Sequence, residues 1–144
     1  MISEYQVLIR ENHLDSYGHV NNATYLALFE EARWQVLTER DYGYQKIHES
    51  GQGPIILEVQ MKFLKELKLR EKIRISLELI SSEGKVSLLK QIMINPHNEV
   101  ACELFLKVGF FDLKTRKLIV PTSAWKKALG QIEANNDSKQ VNKF

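Results

Sequence analysis

Cysteine occurs once, at Cys102, which excludes an intramolecular disulfide and a thiolate metal cage. No apolar run approaches the roughly 18 residues of a membrane span. The opening Met1-Ile2-Ser3-Glu4-Tyr5 lacks the basic segment and apolar core of a secretory signal, so the chain reads as soluble and cytoplasmic. An excess of one charge is missing too. Twenty basic residues against eighteen acidic ones leave a net charge of +2, without the bias typical of nucleic-acid binders. Such balance still permits a local cluster facing a phosphate-bearing ligand. Neither a repeat nor a linker divides the chain.

What is present suits one ordinary domain. The 144 residues are 44% hydrophobic and 26% charged, enough for a sizeable core. A single domain is expected over residues 1–133, followed by a disordered polar tail over 134–144. Residues 4–11 begin with Tyr5, Val7 and Ile9 alternating against Gln6 and Arg10, a first strand. After a polar loop over 12–21 the period changes. Tyr25, Leu28, Phe29, Ala32 and Val36 share one helical face, with Leu26 and Ala27 widening the apolar surface until burial on most sides is expected. Asn21 or Asn22 is the natural N-cap and Gly43 the stop. A short helix or loop covers 44–53.

From Pro54 the period is two. Leu57, Val59, Met61 and Phe63 alternate with charged or polar residues, as do Ile73, Ile75, Leu77 and Leu79. Turn signals at Ser82-Glu83-Gly84-Lys85 and Asn95-Pro96-His97-Asn98 separate two further strands, Val86–Ile94 and Val100–Phe111. Val86, Leu88, Ile92 and Ile94 read as one apolar face that Lys90 interrupts. Cys102 sits in an apolar strand, where a thiol is buried and inert. A terminal helix follows over 121–133. The order predicts an α+β domain, a five-stranded antiparallel sheet wrapped around one long helix. Long strand edges are a liability that two-fold pairing removes, so a homodimer or tetramer is expected.

The most specific segment is Asp15-Ser16-Tyr17-Gly18-His19-Val20-Asn21-Asn22-Ala23-Thr24-Tyr25. It sets a carboxylate a few residues before a helix N-terminus. The amides of Asn22, Ala23 and Thr24 lack intrahelical acceptors there and face out with the positive end of the dipole behind them. Such donors stabilise an oxyanion, and a nearby carboxylate attacks a carbonyl or deprotonates water. Gly18 supplies the turn between them. The same residue types also serve simple capping and turning.

The segment resembles the signature of the 4-hydroxybenzoyl-CoA thioesterase-like family, an Asp-x-x-Gly-His-Val-Asn-Asn-x-x-Tyr stretch joining first strand to central helix. Asp15, Gly18, His19, Val20, Asn21, Asn22 and Tyr25 fill every position, and Phe29-Glu30-Glu31-Ala32-Arg33 continues the likeness. The resemblance spans about residues 4–113. It implies a hot-dog fold with active sites at a dimer interface, and hydrolysis of acyl-CoA thioesters to free acid and CoA without a cofactor. By the same likeness Asp15 is the nucleophile or general base, and the Asn22 amide polarises the carbonyl. Gly18, His19 and Tyr25 are candidate substrate contacts, with structural roles open for His19 and Tyr25. Many relatives carry an acid two positions before the catalytic one; here His13 stands there.

His13, His48 and His97 lack metal-ligand spacing, and no metal is expected. Glu30, Glu31 and Arg33 read as solvated or interface ion pairs, or as a buried polar network. Lys62, Lys65, Lys68 and Arg70 form a basic stretch that either contacts phosphate or is plain solvated surface. Two rival functions share the fold: hydrolysis of acyl carrier protein thioesters, and non-catalytic acyl binding or assembly.

Overall fold

The computed structural model describes residues 2–131 of the chain, so the expected tail over 134–144 lies outside the described residues. The elements run β1 (Ile2–Leu8), α1 (Asn22–Glu39), α2 (Tyr44–Ser50), β2 (Gln52–Phe63), β3 (Lys72–Glu83), β4 (Val86–Ile94), β5 (Val100–Asp112), β6 (Lys117–Leu118) and α3 (Ser123–Ala128). A 3₁₀ turn over Glu11–His13 links β1 to the loop before α1. The strands form one antiparallel sheet in the order β1-β3-β4-β5-β2, and the two-residue β6 adds to β5.

The expected helical face is the buried one: Tyr25, Leu28, Phe29, Ala32 and Val36, joined by Leu37. It packs on the inner sheet face, where Ile73, Ile75, Leu89, Met93, Cys102, Leu104 and Leu106 are excluded from solvent. A helix held in a curled antiparallel sheet is the hot-dog fold. Burial of this kind is the main stabilising term, at about 25 cal/mol per Å² of apolar surface. Trp125 of α3 closes one end of the core. Its ring stacks on Phe110 with centroids 5.5 Å apart and meets Tyr42 edge-on at 5.2 Å.

Several expectations need correction. The terminal helix stops at Ala128, and the part of the expected span beyond Gln131 lies outside the described residues. Gly43 does not end α1, whose C-cap is Arg40; it precedes α2 as N-cap. Its need for glycine is steric, since a Cβ there would stand 2.6 Å from Thr38 Oγ1. On β4 the face read as core is the outer one. Ser87, Leu89, Gln91 and Met93 point inward, and Lys90 lies outside among half-buried aliphatics. Lys90 interrupts that outer face, as expected, and its Nζ is held 3.3 Å from Glu103 Oε1 and 5.4 Å from the Phe105 ring centre.

The two edges of the sheet differ. α1 packs mainly toward β1 and β3, while β2 meets α1 through Phe63 on Tyr25 and meets α2 near Gly53, leaving much of the strand uncovered. Leu57, Val59 and Phe63, expected on a covered face, are each close to half exposed in the protomer, as is Ile56, and Ile55 is about a third exposed. Leu26 is exposed as well, and Ala27 beside it, against the expected burial of that end of the helix. Pro54 is tolerated in β2 because the strand is an edge and owes no second ladder of N–H groups.

Candidate active site

The loop before α1 is a narrow hairpin. His13 first closes the 3₁₀ turn, its Nδ1 accepting the Arg10 N–H at 2.9 Å, so the residue standing in place of an acid is spent on local structure. Leu14 then bridges Val20, the Asp15 N–H donates to the His19 carbonyl at 2.8 Å, and the Asn21 N–H reaches the His13 carbonyl at 3.4 Å. The tip turns through Gly18, whose φ of +79° lies in the region that favours glycine. Val20 is buried in the core and anchors the hairpin from below.

Asp15 holds this turn together and keeps one oxygen in reserve. Its Oδ1 accepts the Tyr17 N–H at 2.9 Å and the His19 N–H at 3.1 Å. Short side chains that reach their own downstream backbone are the ones such turns select. Oδ2 has no hydrogen-bond partner among the described residues. The paired amides fix the plane of the carboxylate, so the second oxygen is aimed rather than free to rotate.

The helix end lies just past the base of the hairpin. Asn21 has extended backbone and is the N-cap, its Oδ1 accepting the Ala23 N–H at 2.9 Å. Its carbonyl accepts the Thr24 and Tyr25 N–H groups at 2.9 and 3.2 Å. Three unpaired amides were expected here, and the structure narrows them to one. Among the described residues only the Asn22 N–H of this turn is left without an acceptor, with the helix dipole behind it. Asp15 stands two residues up the hairpin from the His13–Asn21 base, about 7 Å along the strand.

The remaining candidates lie on the same stretch of chain. His19 is exposed, with Nε2 3.3 Å from Glu66 Oε1. Tyr25 is buried and meets Phe63 of β2 edge-on, ring centres 5.1 Å apart. Burial pushes its phenol above the ordinary tyrosine value. Among the described residues no group of three or more His, Cys, Asp or Glu side chains is placed to hold a metal. Burial also pushes the Cys102 thiol up to about 12, which keeps it protonated and unreactive.

Sequence reasoning missed three participants. Phe63 at the end of β2 meets Tyr25 of α1, and Glu66 three residues on meets His19 of the loop, contacts no local pattern announces. The third is Gln91, fully buried, which accepts the Arg33 Nη1–H at 2.9 Å and donates to the Phe29 carbonyl at 3.1 Å. Burial holds the Arg33 guanidinium below its ordinary value, with Glu30 acting in the opposite direction. Of the alternatives for this helix, the buried network is realised by Arg33, while Glu31 accepts the Tyr5 hydroxyl at 3.0 Å. A glutamine between Leu89 and Met93 on an inward period was the available signal.

Three cavities are described in the protomer, and Asp15 lines none of them. One of about 420 Å³ is polar and runs along β1 past Arg10, Asn12 and His13 to Glu31. The other two adjoin each other against the second half of α1. No helix among the described residues is long and apolar enough to cross a membrane.

Comparison with known proteins agrees with the fold. The chain is 29% identical over 128 residues to the long-chain acyl-CoA thioesterase FadM of Escherichia coli K12, covering 88% of this chain and 96% of that protein. It is 26% identical over 121 residues to the chloroplastic acyl-acyl carrier protein thioesterase ATL3 of Arabidopsis thaliana, covering 83% of this chain but only 64% of the relative. The crystal structure of YbaW, a probable thioesterase from Escherichia coli, superposes with a TM-score of 0.78 at 29% identity, covering 89% of this chain and 96% of the other. The family model of the thioesterase-like superfamily matches residues 9–130, and the chain belongs to that superfamily.

Proposed function

We propose that this protein hydrolyses acyl-CoA thioesters to a free acid and CoA, at a site where Asp15 and the Asn22 amide converge. The observation that carries the reading is that Asp15 keeps one carboxylate oxygen unengaged on a hairpin whose base leads directly into the unengaged Asn22 amide of α1. FadM, named as a long-chain acyl-CoA thioesterase, supports the substrate class.

The chemistry needs little else, because a thioester is already activated. The Asn22 N–H stabilises negative charge developing on the carbonyl oxygen. As general base, Asp15 takes a proton from water while the water oxygen bonds to the carbonyl carbon. Collapse of the tetrahedral adduct breaks the C–S bond and expels the CoA thiolate, which recovers the proton. As nucleophile, Asp15 instead bonds to the carbonyl carbon and the C–S bond breaks, releasing CoA thiolate and leaving a mixed anhydride. Water opens it to the free acid and the Asp15 carboxylate, and the proton released goes to the thiolate. Both routes use the same two groups. Gly18 sets the turn, while His19 and the Tyr25–Phe63 pair wall the approach to the carbonyl.

The site is completed by a second copy of the chain. Strand β2 exposes Ile55, Ile56, Leu57, Val59 and Phe63 along an unpaired edge, and a lone edge of that composition invites another strand. Antiparallel pairing of β2 with its counterpart about a two-fold axis removes both edges and covers those side chains. A carrier-protein substrate is the second reading, favoured by the similarity to ATL3. Against a free basic docking patch, Lys65 pairs with Glu99 and Arg70 with Glu11.

The test is thiol release over a panel of acyl-CoA and acyl carrier protein esters, wild type beside Asp15→Asn. The amide retains an oxygen for the Tyr17 and His19 N–H groups, so the hairpin survives. Activity is expected to fall about 10²–10⁴-fold. Equal rates for the two proteins on every ester defeat the assignment.

A further inference from the structure

The three cavities of the protomer differ in kind. The two against the second half of α1 are mainly apolar, the wider one, about 420 Å³, walled by Trp34, Ile47, Pro54, Phe111 and Leu113. The third, also about 420 Å³, is polar and lies beside the 3₁₀ turn that leads into the Asp15 hairpin. His13 is both a wall of that cavity and the last residue of the turn. Three contacts hold it there. Its N–H donates to the Arg10 carbonyl at 2.9 Å, its Nδ1 accepts the Arg10 N–H at 2.9 Å, and its carbonyl accepts the Asn21 N–H at 3.4 Å. Through Nδ1 the imidazole does what a glutamate or glutamine does at the third position of a capped turn. Through its carbonyl it faces Asn21, the residue that caps α1 and leaves the Asn22 N–H free. Asp15 follows two residues on. His13 thus stands where the strand bearing the carboxylate is tied to the helix end bearing the amide.

An imidazole accepts at Nδ1 only while it is neutral. The bond from the Arg10 N–H assigns the ring proton to Nε2, and a second proton turns the acceptor into a donor facing another donor. Histidine is the side chain whose charge ordinarily changes within the range in which enzymes work. Around the ring, Arg10 and Tyr5 line the same cavity from the β1 side, and Glu31 lines it from α1. Glu31 Oε2 already accepts the Tyr5 hydroxyl, and Glu11 of the turn is paired with Arg70 from the segment before β3. We infer that neutral His13 is a positioning residue for hydrolysis: by accepting the Arg10 N–H it sets Asp15 against the Asn22 amide, and its protonation undoes that setting. The inference rests on the hydrolase reading above and adds the side chain on which its geometry depends. A reacting group misplaced by about 1 Å costs about 10²-fold in rate. His13 acts through Asp15 and not on the substrate, so the loss falls on kcat and leaves KM nearly unchanged.

The experiment compares two substitutions over a range of pH. His13→Leu removes the acceptor, whereas His13→Gln supplies one that does not titrate. In thiol release from an acyl-CoA at about pH 8, His13→Leu is expected to lose about 10–10²-fold in kcat, with KM within about twofold of wild type. His13→Gln is expected to restore most of that loss. Between about pH 8 and 5.5 wild-type kcat is expected to fall toward the His13→Leu value, while His13→Gln holds its rate where wild type has fallen. A role in folding alone does not produce that difference. His13→Gln no faster than His13→Leu at the upper pH, or falling with acid as wild type does, overturns the inference. Wild-type kcat in a His13→Leu protein shown to be folded by circular dichroism overturns it too. If His13→Leu does not fold, the wild-type and His13→Gln profiles decide between them. Wild type inert toward every thioester defeats the hydrolase reading instead, and the positioning role is then decided by NMR. The Arg10, Tyr17 and Asn21 amide protons are expected to follow the titration of the His13 ring, a component that His13→Gln abolishes. Amides that stay put while that ring titrates reject the role.

Discussion

The two ends of α1 are built in opposite ways. At Asn22 the carboxylate, the free amide and the turn between them come from one contiguous stretch, residues 13–25, positioned by backbone hydrogen bonds and short polar side chains. At Trp34 the walls come from α1, α2, the start of β2, and β5 with the residue that follows it, held by apolar contact. The first end fixes the direction of two polar groups within a rigid turn. The second defines a volume. Directional chemistry can be written locally in a sequence, whereas a volume exists only after distant strands have met.

The sharpest way to break the contrast is to remove a single backbone donor from the first end. Asn22 is the first helical residue of α1, and Asn21 before it has φ −67° and ψ 145°, the extended backbone that a following proline requires. Proline is at home at that helix position, where the amide it lacks has no helical partner. Asn22→Pro should therefore leave the fold intact and cut kcat about 10²–10³-fold, the usual loss for one oxyanion donor. Circular dichroism and thiol release together check it. A folded proline variant with wild-type kcat would show that the amide does not touch the reacting carbonyl.

The matching perturbation at the second end is Gln91→Leu. It strips the half-buried Arg33 guanidinium of its bond to Oε1, and in the core the Phe29 carbonyl of its side-chain donor. The loss expected is about 1.5–3 kcal/mol of stability, since a hydrogen bond to a buried charge is worth that much. In urea this appears as a lower midpoint at unchanged slope. If kcat on a short acyl ester fell as far as in Asn22→Pro, the two ends would be acting as one unit and the contrast would fail.

These differences explain what the sequence disclosed. The helix face of Tyr25, Leu28, Phe29, Ala32 and Val36 was readable because period and burial coincide within one element. The hairpin was readable because Asp15, Gly18 and Asn21 each have a local conformational task. Strand β4 was read inside out. Its outward residues Val86, Leu88, Ile92 and Ile94 are more apolar than the inward Ser87 and Gln91, whose polarity is satisfied by tertiary partners. The exposed aliphatics of β2 misled for a related reason, since apolar alternation marks a face that something covers without saying that the same chain covers it. The Trp34 cavity had no sequence signal at all. Strand β6, only two residues long, is held by pairing of Phe111 with Leu118 and Asp112 with Lys117 rather than by any pattern of its own.

A smaller effect tests how tightly each end is closed to water. Tyr25 beside the first end and Tyr42 beyond the second are both buried, and burial raises both phenol pKa values above the ordinary 10.0. A raised value in the folded state means that the neutral phenol is favoured by folding. The associated stability is whole below pH 10.0, and it drains away as pH rises through the folded values. Tyr42 also donates its hydroxyl to the Gln52 carbonyl at 3.1 Å, at the start of β2. Tyr42→Phe should cost about 0.5–1.5 kcal/mol at neutral pH for that bond and make the alkaline fall shallower. Urea midpoints taken from pH 8 to 11 measure both. Parallel curves for wild type and variant would mean that Tyr42 is reached by water in the folded protein, and that the Trp125 end of the core is looser than its packing implies.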